Sequence, residues 1–233
     1  METKGFIIEK MDNSVIIIGS ATENLPVAFD ICYSAFGTTV YHIYKNIKVK
    51  SLPELPTKNL NYKLNFYEPG EKFKKRGEHI FFGVTGPYGK RKVFEYFRDQ
   101  WQLEKDDIEV LVHPSSVIAP STNWESAALI EPGVVISAQT KLGFAVTIKR
   151  QVSIGHHCQI EDFVEINPGV TVSGHVRIGE GTIIGSGAVI RNGTTIGKNT
   201  MIGMGSIVTK DIPDNVIAFG NPCKVVRENE VRT

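Results

Sequence analysis

From Ile148 to Val172 the chain reads IKRQVS-IGHHCQ-IEDFVE-INPGVT-V, with an aliphatic residue at every sixth position. The frame extends in both directions without a slip. Val112, Ile118, Trp124, Ile130, Ile136 and Leu142 precede it, and Ile178, Ile184, Ile190, Ile196, Ile202 and Val208 follow. A period of six fits neither the 3.6 of a helix nor the alternation of a simple strand. Fixed short periods mark repeat architectures, and six is the period of hexapeptide β-helices. Four positions after each aliphatic residue stands a small or β-branched one, as at Thr140, Val152, Cys158, Val164, Val176, Thr182 and Thr200. Glycine recurs directly after the aliphatic residue, at Gly143, Gly155, Gly179, Gly185, Gly197 and Gly203. The pattern predicts a short strand, a tight corner and another short strand, with glycine easing the corner. Three hexads close one triangular coil, so stacked positions recur every eighteen residues. Stacked coils pair as parallel strands roughly 4.8 Å apart and share one aliphatic column as their core.

Composition bounds what surrounds this column. The chain has 233 residues, 41% hydrophobic and 22% charged, with a net charge of +1. That balance is ordinary for a globular protein and gives no reason to expect nucleic acid or an anionic membrane as partner. No apolar run is long enough to span a bilayer, and the first residues lack a signal-peptide core. Cys32, Cys158 and Cys223 are scattered and odd in number, which fits neither a disulfide framework nor a thiolate zinc site. These features predict a cytoplasmic protein.

Ahead of the repeat, Ser14–Gly19 (SVIIIG) predicts a buried strand, and Leu25–Phe36 an amphipathic helix stopped by Gly37. Thr38–Val49 alternates like a strand, and 51–76, with Pro53, Pro56 and Pro69, reads as loop with short elements. His79–Gly83 predicts another buried strand, Arg91–Trp101 a helix, and Ile108–Val112 a last strand. The order suggests a small Rossmann-like α/β domain with a parallel sheet over 1–107, followed by the β-helix and a short tail over 108–233.

The [Ile/Leu/Val]-Gly-x-x-[small]-x hexads resemble the left-handed β-helix of hexapeptide-repeat acyltransferases; the handedness comes from that resemblance. The α/β domain ahead of it, and the junction Leu111-Val112-His113-Pro114-Ser115-Ser116-Val117-Ile118, look like the bacterial sugar and aminosugar acetyltransferases of the NeuD/PglD type. The resemblance implies an acetyl-CoA-dependent acetyltransferase with a nucleotide-linked sugar bound by the front domain. It also implies a homotrimer with sites between neighbouring coils, and a role in cell-surface glycan or lipopolysaccharide biosynthesis.

Acyl transfer to an amine or hydroxyl needs a base for the nucleophile's proton and donors for the oxyanion. Histidine suits the first role. Gly155-His156-His157-Cys158-Gln159-Ile160-Glu161-Asp162-Phe163-Val164-Glu165-Ile166 resembles the family's EHDCVIGDFVHI segment, which places His156 on its catalytic base. Where the family carries a carboxylate after the base, this chain has His157. Where it carries a second histidine, this chain has Glu165, which either supplies the missing carboxylate and meets the acetyl donor or is an ordinary surface glutamate. For the donor, the resemblance points to Gly174, one coil after His156, to Ser186 and Met204, eighteen residues apart, and to Lys224 in a GNPCK tail similar to the family's GNPAK.

For the sugar nucleotide, the resemblance points to the turn after the first strand, Gly19-Ser20-Ala21, although Glu23 there would repel a phosphate. A second turn, Gly83–Arg91, ends in Lys90 and Arg91 and could hold phosphate, while loops of this composition also serve as plain turns.

Other classes remain in view. Transfer to a sugar hydroxyl needs the same base. His157 and His175 are eighteen residues apart and stack on adjacent coils, as in zinc-dependent β-helix carbonic anhydrases. A third ligand is missing unless His156 turns inward, so no metal is expected. A non-catalytic trimeric scaffold binding a sugar nucleotide is the third reading.

Overall fold

β-Branched residues fill Val15–Ile18 and favour an extended chain. They form the centre of a four-stranded, all-parallel sheet. The computed structural model describes residues 14–19, 25–48, 62–71 and 79–230. β1 (Ser14–Ile18), β2 (Val40–Tyr44), β3 (Lys63–Tyr67) and β4 (His79–Phe82) lie in the order β3-β2-β1-β4. Alternation along β1 splits its side chains between two layers. Val15 and Ile17 pack with Phe29, Ile31 and Cys32 of α1 (Leu25–Phe36), while Ile16 and Ile18 pack with Val93 and Phe97 of α2 (Pro87–Trp101). A parallel sheet covered on both faces follows from such near-continuous apolar strands. From β1 the chain runs one way to β2 and the other way to β4, so the order reverses between β1 and β4. Ligands of open α/β sheets sit beyond the strands' carboxyl ends at such a switch point.

β3 is one of the short elements expected within the stretch 51–76, an edge strand reading KLNFY in lysine-rich surroundings. Two sequence expectations for this half need correction. α2 begins at Pro87, not Arg91, because proline fits the first helical position, where no N–H is needed. Leu111–Val112 does not end the front sheet. It pairs in parallel with Leu129–Ile130 and is the first rung of the β-helix. The front sheet keeps contact with this segment through Glu109, whose N–H donates to the Ile80 carbonyl at 2.9 Å.

From there to Val208 every hexad carries a two-residue strand whose second member is the aliphatic frame residue. Through Val189–Ile190 each pairs in parallel with the strand eighteen residues later, as in Ser153↔Thr171 and Ile154↔Val172. The rungs stack into three sheets, the faces of a left-handed triangular prism. Ile130, Ile148, Ile166, Ile184 and Ile196 are fully buried in the column, as are the corner residues Val134, Val152, Cys158 and Ala188. Thr182 and Thr200 are tolerated inside because their hydroxyls answer corner carbonyls, Thr182 donating to Gly197 at 2.6 Å and Thr200 to Pro213 at 2.8 Å.

The faces differ in what they present outward. The first carries Leu111, Leu129, Thr147, Glu165, Ile183 and Met201; the front domain buries the first four of these and leaves Met201 exposed. The second carries Val117, Val135, Ser153, Thr171, Val189 and Ile207, and the third Asn123, Lys141, Gln159, Arg177 and Thr195. After the repeat ends at Asp211, Val216–Gly220 continues the first face beside Met201–Ile202, and Cys223–Glu228 turns back antiparallel upon it.

Candidate active site

The turn at His156–His157 lies between the rung strands Ser153–Ile154 and Gln159–Ile160, at the edge joining the second and third faces. Coil stacking builds this edge as a ladder, with Ala138, His156, Gly174 and Asn192 at equivalent positions. The lower rungs are held close by glycine. A Cβ on Gly155 would lie 2.6 Å from the Gly174 nitrogen in the next coil. A Cβ on Gly174 would lie 2.8 Å from His156 Nε2, so the imidazole edge occupies the space a side chain there would take.

Three imidazoles meet at this edge, all exposed. His156 Nδ1 lies 3.0 Å from His157 Nδ1, so one of the two nitrogens donates and the other accepts. His175 stacks on His157, with centroids 5.0 Å apart and planes 20° apart, and stands edge-on to His156 at 4.9 Å. His157 and His175 both have left-handed backbone angles, φ 58 and φ 57, which the tight corner requires of its second residue. Sequence spacing offered only the His157–His175 pair unless His156 turned inward. His156 stays outward and still joins them, because the ring swings along the edge.

Glu165 is elsewhere. It lies on the first face, 8% exposed beneath the front domain, and its carboxylate takes a 2.7 Å hydrogen bond from Lys149 Nζ. Lys149 also donates to Asn167 Oδ1 at 3.0 Å. The other oxygen of Glu165 faces Gly86, the residue capping α2, where a helix amino terminus favours a carboxylate. Within one chain the partners of Glu165 are Lys149 and the front domain's turn, not His156, the base it was expected to tune.

The remaining expected positions separate into groups. Gly174 is beside His156. Ser186 and Met204 are exposed on a different edge, between the first and second faces, with the Met204 side chain 81% exposed. Gly205 N–H donates to the Ser186 carbonyl, stacking these two corners. Lys224 is exposed in the returning C-terminal strand. Gly19 ends β1 with φ 86 and packs on Val93. Ser20 and Ala21 lie outside the described residues.

The second turn is shorter than expected, since Pro87 onward is helical. Arg91 is committed to the β-helix, with Nη2 2.6 Å from Glu180 Oε1 and the guanidinium 4.4 Å above the Phe163 ring. Neither it nor Lys90 is a free phosphate anchor. Lys90 is fully buried, donates to the Ala145 carbonyl at 2.9 Å and lies over the Phe82 ring. Burial lowers its pKa to about 7, partly countered by Glu165 and reinforced by Lys149. Sequence reasoning passed over Lys149 and took Lys90 for a turn cation that could meet phosphate, because each lysine reads as solvated until the α/β unit and the coils are brought together. It also gave no hint of a groove of about 1010 Å³ between α2 and the upper first face, lined in part by Tyr88, Arg91, Lys198, Met201 and Arg227.

Comparison with known proteins places this geometry. The bacterial transferase hexapeptide family (six repeats) matches residues 175–210. The acetyltransferase domain of PglB from Neisseria gonorrhoeae FA1090, solved with acetyl coenzyme A, superposes with a TM-score of 0.77 at 22% identity, over 93% of this chain and 100% of that one. A histidine-to-asparagine variant of perosamine N-acetyltransferase from Caulobacter crescentus, with CoA and GDP-perosamine, gives 0.75 at 24% identity over 92% and 97%. WeeI from Acinetobacter baumannii AYE gives 0.71 at 19% over 91% and 100%. No curated protein matches the chain in sequence. The expected fold, an α/β unit ahead of a left-handed hexapeptide β-helix, is thus shared along nearly the whole length, and the resemblance to the NeuD/PglD type holds at that level. No helix among the described residues is long and apolar enough to cross a membrane.

Proposed function

We propose that the chain is an acetyl-CoA-dependent acetyltransferase that acetylates the amino group of a nucleotide-linked aminosugar. The observation that carries this reading is the His156 edge. An exposed imidazole there has one nitrogen bonded to His157 and the other, Nε2, lying over a glycine. The likeness in fold to proteins solved with acetyl coenzyme A, and with CoA and GDP-perosamine, supports the choice of donor and acceptor.

In this mechanism His156 donates its Nδ1–H to His157 Nδ1, which leaves the Nε2 lone pair free. The substrate amine adds to the thioester carbonyl, and Nε2 takes the proton from the amine nitrogen. The Gly174 N–H has no protein acceptor among the described residues and holds the developing oxyanion. Collapse breaks the carbon–sulfur bond, and the imidazolium returns the proton to the departing thiolate of coenzyme A. Base catalysis of this kind contributes roughly 10²–10⁴ in rate.

The proposed site is shared between copies. His156 and Gly174 lie on one edge of the prism and Ser186 and Met204 on another, so a pantetheine arm touching both sets runs between two chains. The second face between these edges presents exposed valines beside Ser153 and Thr171, with Val117 65%, Val135 45% and Val189 37% exposed. A homotrimer covers this face and brings unlike edges together. The sugar nucleotide takes the crevice beyond β1 and β4, where Gly19 and Gly83 let the strand ends approach. In this reading Lys224, exposed in the returning C-terminal strand, meets the coenzyme's phosphates.

The test is release of free thiol from acetyl-CoA in the presence of a panel of nucleotide-linked aminosugars and their hydroxyl counterparts, with mass spectrometry of the products. Stable amide products support the proposal. Ester products from the hydroxyl sugars shift it to O-acetylation, and absence of thiol with every acceptor favours a non-catalytic binding scaffold.

A further inference from the structure

We propose that the three imidazoles at the edge form a binding site for a transition-metal ion of the zinc class, and that the ion, when bound, silences His156. Three observations carry this. The donors are all imidazole nitrogens, the ligand type that suits zinc, copper and nickel. One ligand nitrogen can be chosen from each of His156, His157 and His175 so that all three lie within 4.8 Å of one another. Finally, the ring centroids form a nearly equilateral triangle, with separations of 5.2, 4.9 and 5.0 Å.

That triangle has the size a metal needs. Three imidazoles held tetrahedrally at about 2.0–2.1 Å from one ion place their ring centres roughly 5 Å apart. Rotations about the side-chain bonds that turn His157 and His175 out of their stack bring the nitrogens into coordination, and the coils need not move. The backbone supports the arrangement, since His157 and His175 occupy the same corner position in successive coils and the His175 N–H donates to the His156 carbonyl at 2.8 Å. All three residues are exposed, so a fourth position stays open to water.

The consequence for His156 follows from tautomer chemistry and rests on the reading of His156 as base. The nitrogen of His156 that faces His157 is Nδ1, 3.0 Å from His157 Nδ1. A metal bound through Nδ1 takes that lone pair, and the single ring proton of the neutral imidazole then resides on Nε2. With Nε2 protonated, the ring has no lone pair with which to receive a proton from the amine. The ion and the base function are therefore mutually exclusive. No bond to substrate is involved, and removing the ion with a chelator restores the original tautomer.

The experiment uses untagged full-length protein freed of metal by a chelator. Titration with Co²⁺, followed by its absorption spectrum, and with Zn²⁺, followed by calorimetry, should show one ion per chain with a micromolar dissociation constant. The Co²⁺ spectrum should be that of a four-coordinate nitrogen site. His175→Ala should weaken binding at least tenfold, and circular dichroism with thermal melting of that variant establishes that the coils remain folded. Non-saturable binding by the wild-type chain, or affinity unchanged in folded His175→Ala, overturns the site. A second arm measures thiol release: Zn²⁺ should inhibit it over the same concentration range as it binds, and chelator should restore it. Saturable binding with undiminished thiol release overturns the silencing. If no acceptor supports thiol release at all, the binding arm still decides the metal site, so failure of the activity and failure of the site are told apart.

Discussion

A methyl group at position 174 would press on the His156 ring at 2.8 Å, while the same position tolerates a backbone with ordinary angles. Gly174→Ala should therefore leave the fold intact and displace the base, lowering kcat by roughly 10–100-fold, since misplacement of about 1 Å costs on that order. Steady-state kinetics beside a thermal melt checks this; unchanged kcat with a normal melt would show that the Nε2 edge plays no part. The residue scale is also where sequence reading was most uneven. His156 stood out as a candidate, because a histidine at a glycine-flanked corner interrupts an otherwise bland surface and its segment resembles the family's. The company it keeps did not. Glu165 stands nine residues on, which is half a coil, and half a coil carries a residue around the prism rather than beside its starting point.

At the scale of elements, the β-helix rungs and α2 pose separate tests. Ile166 lies fully buried between Ile148 and Ile184 in the column, and each coil covers its neighbour. Ile166→Ala should cost about 2–5 kcal/mol in denaturant unfolding, as large-to-small changes in close-packed cores do. The β-helix was readable almost residue by residue because every rung repeats one local rule. α1 was readable to its ends because Gly37 supplies the left-handed turn that stops it. α2 was misplaced at its start, since lysines and a proline conceal an interface that exists only when the helix lies on the coils.

Lys90 is the sharpest case at that interface. In the unfolded chain a lysine titrates near 10.5, whereas burial holds Lys90 at about 7 in the folded one. Between those values the unfolded state binds the extra proton, so stability rises with pH across that window, and below about 7 this contribution levels off. Chemical denaturation near the two ends of the window should show the rise, worth up to a few kcal/mol. In Lys90→Met the rise should flatten. An equal slope in the variant would assign the pH dependence to other groups.

For the whole molecule, the proposed trimer ties assembly to chemistry. The uncovered second face is apolar at Val117, Val135 and Val189, and covering it joins two otherwise separate edges. Val135→Glu should shift the species seen in sedimentation from trimer to monomer and lower thiol release by at least tenfold, while the circular dichroism of the coils persists. A monomeric variant with full activity would mean that one chain holds the entire site. Architecture at this scale was legible from periodicity and strand order. The proposed meeting of unlike edges was not, because the repeat assigns residues to edges but says nothing about which edges face each other in an assembly. The central claim is that His156 serves as the base for acetyl transfer. Pre-steady-state thiol release from acetyl-CoA with an accepted aminosugar nucleotide tests it most directly, in wild type beside His156→Ala and His156→Asn. The account predicts that both variants keep acetyl-CoA binding and lose roughly 10²–10⁴ in the transfer rate. Transfer at the wild-type rate in either folded variant would contradict it.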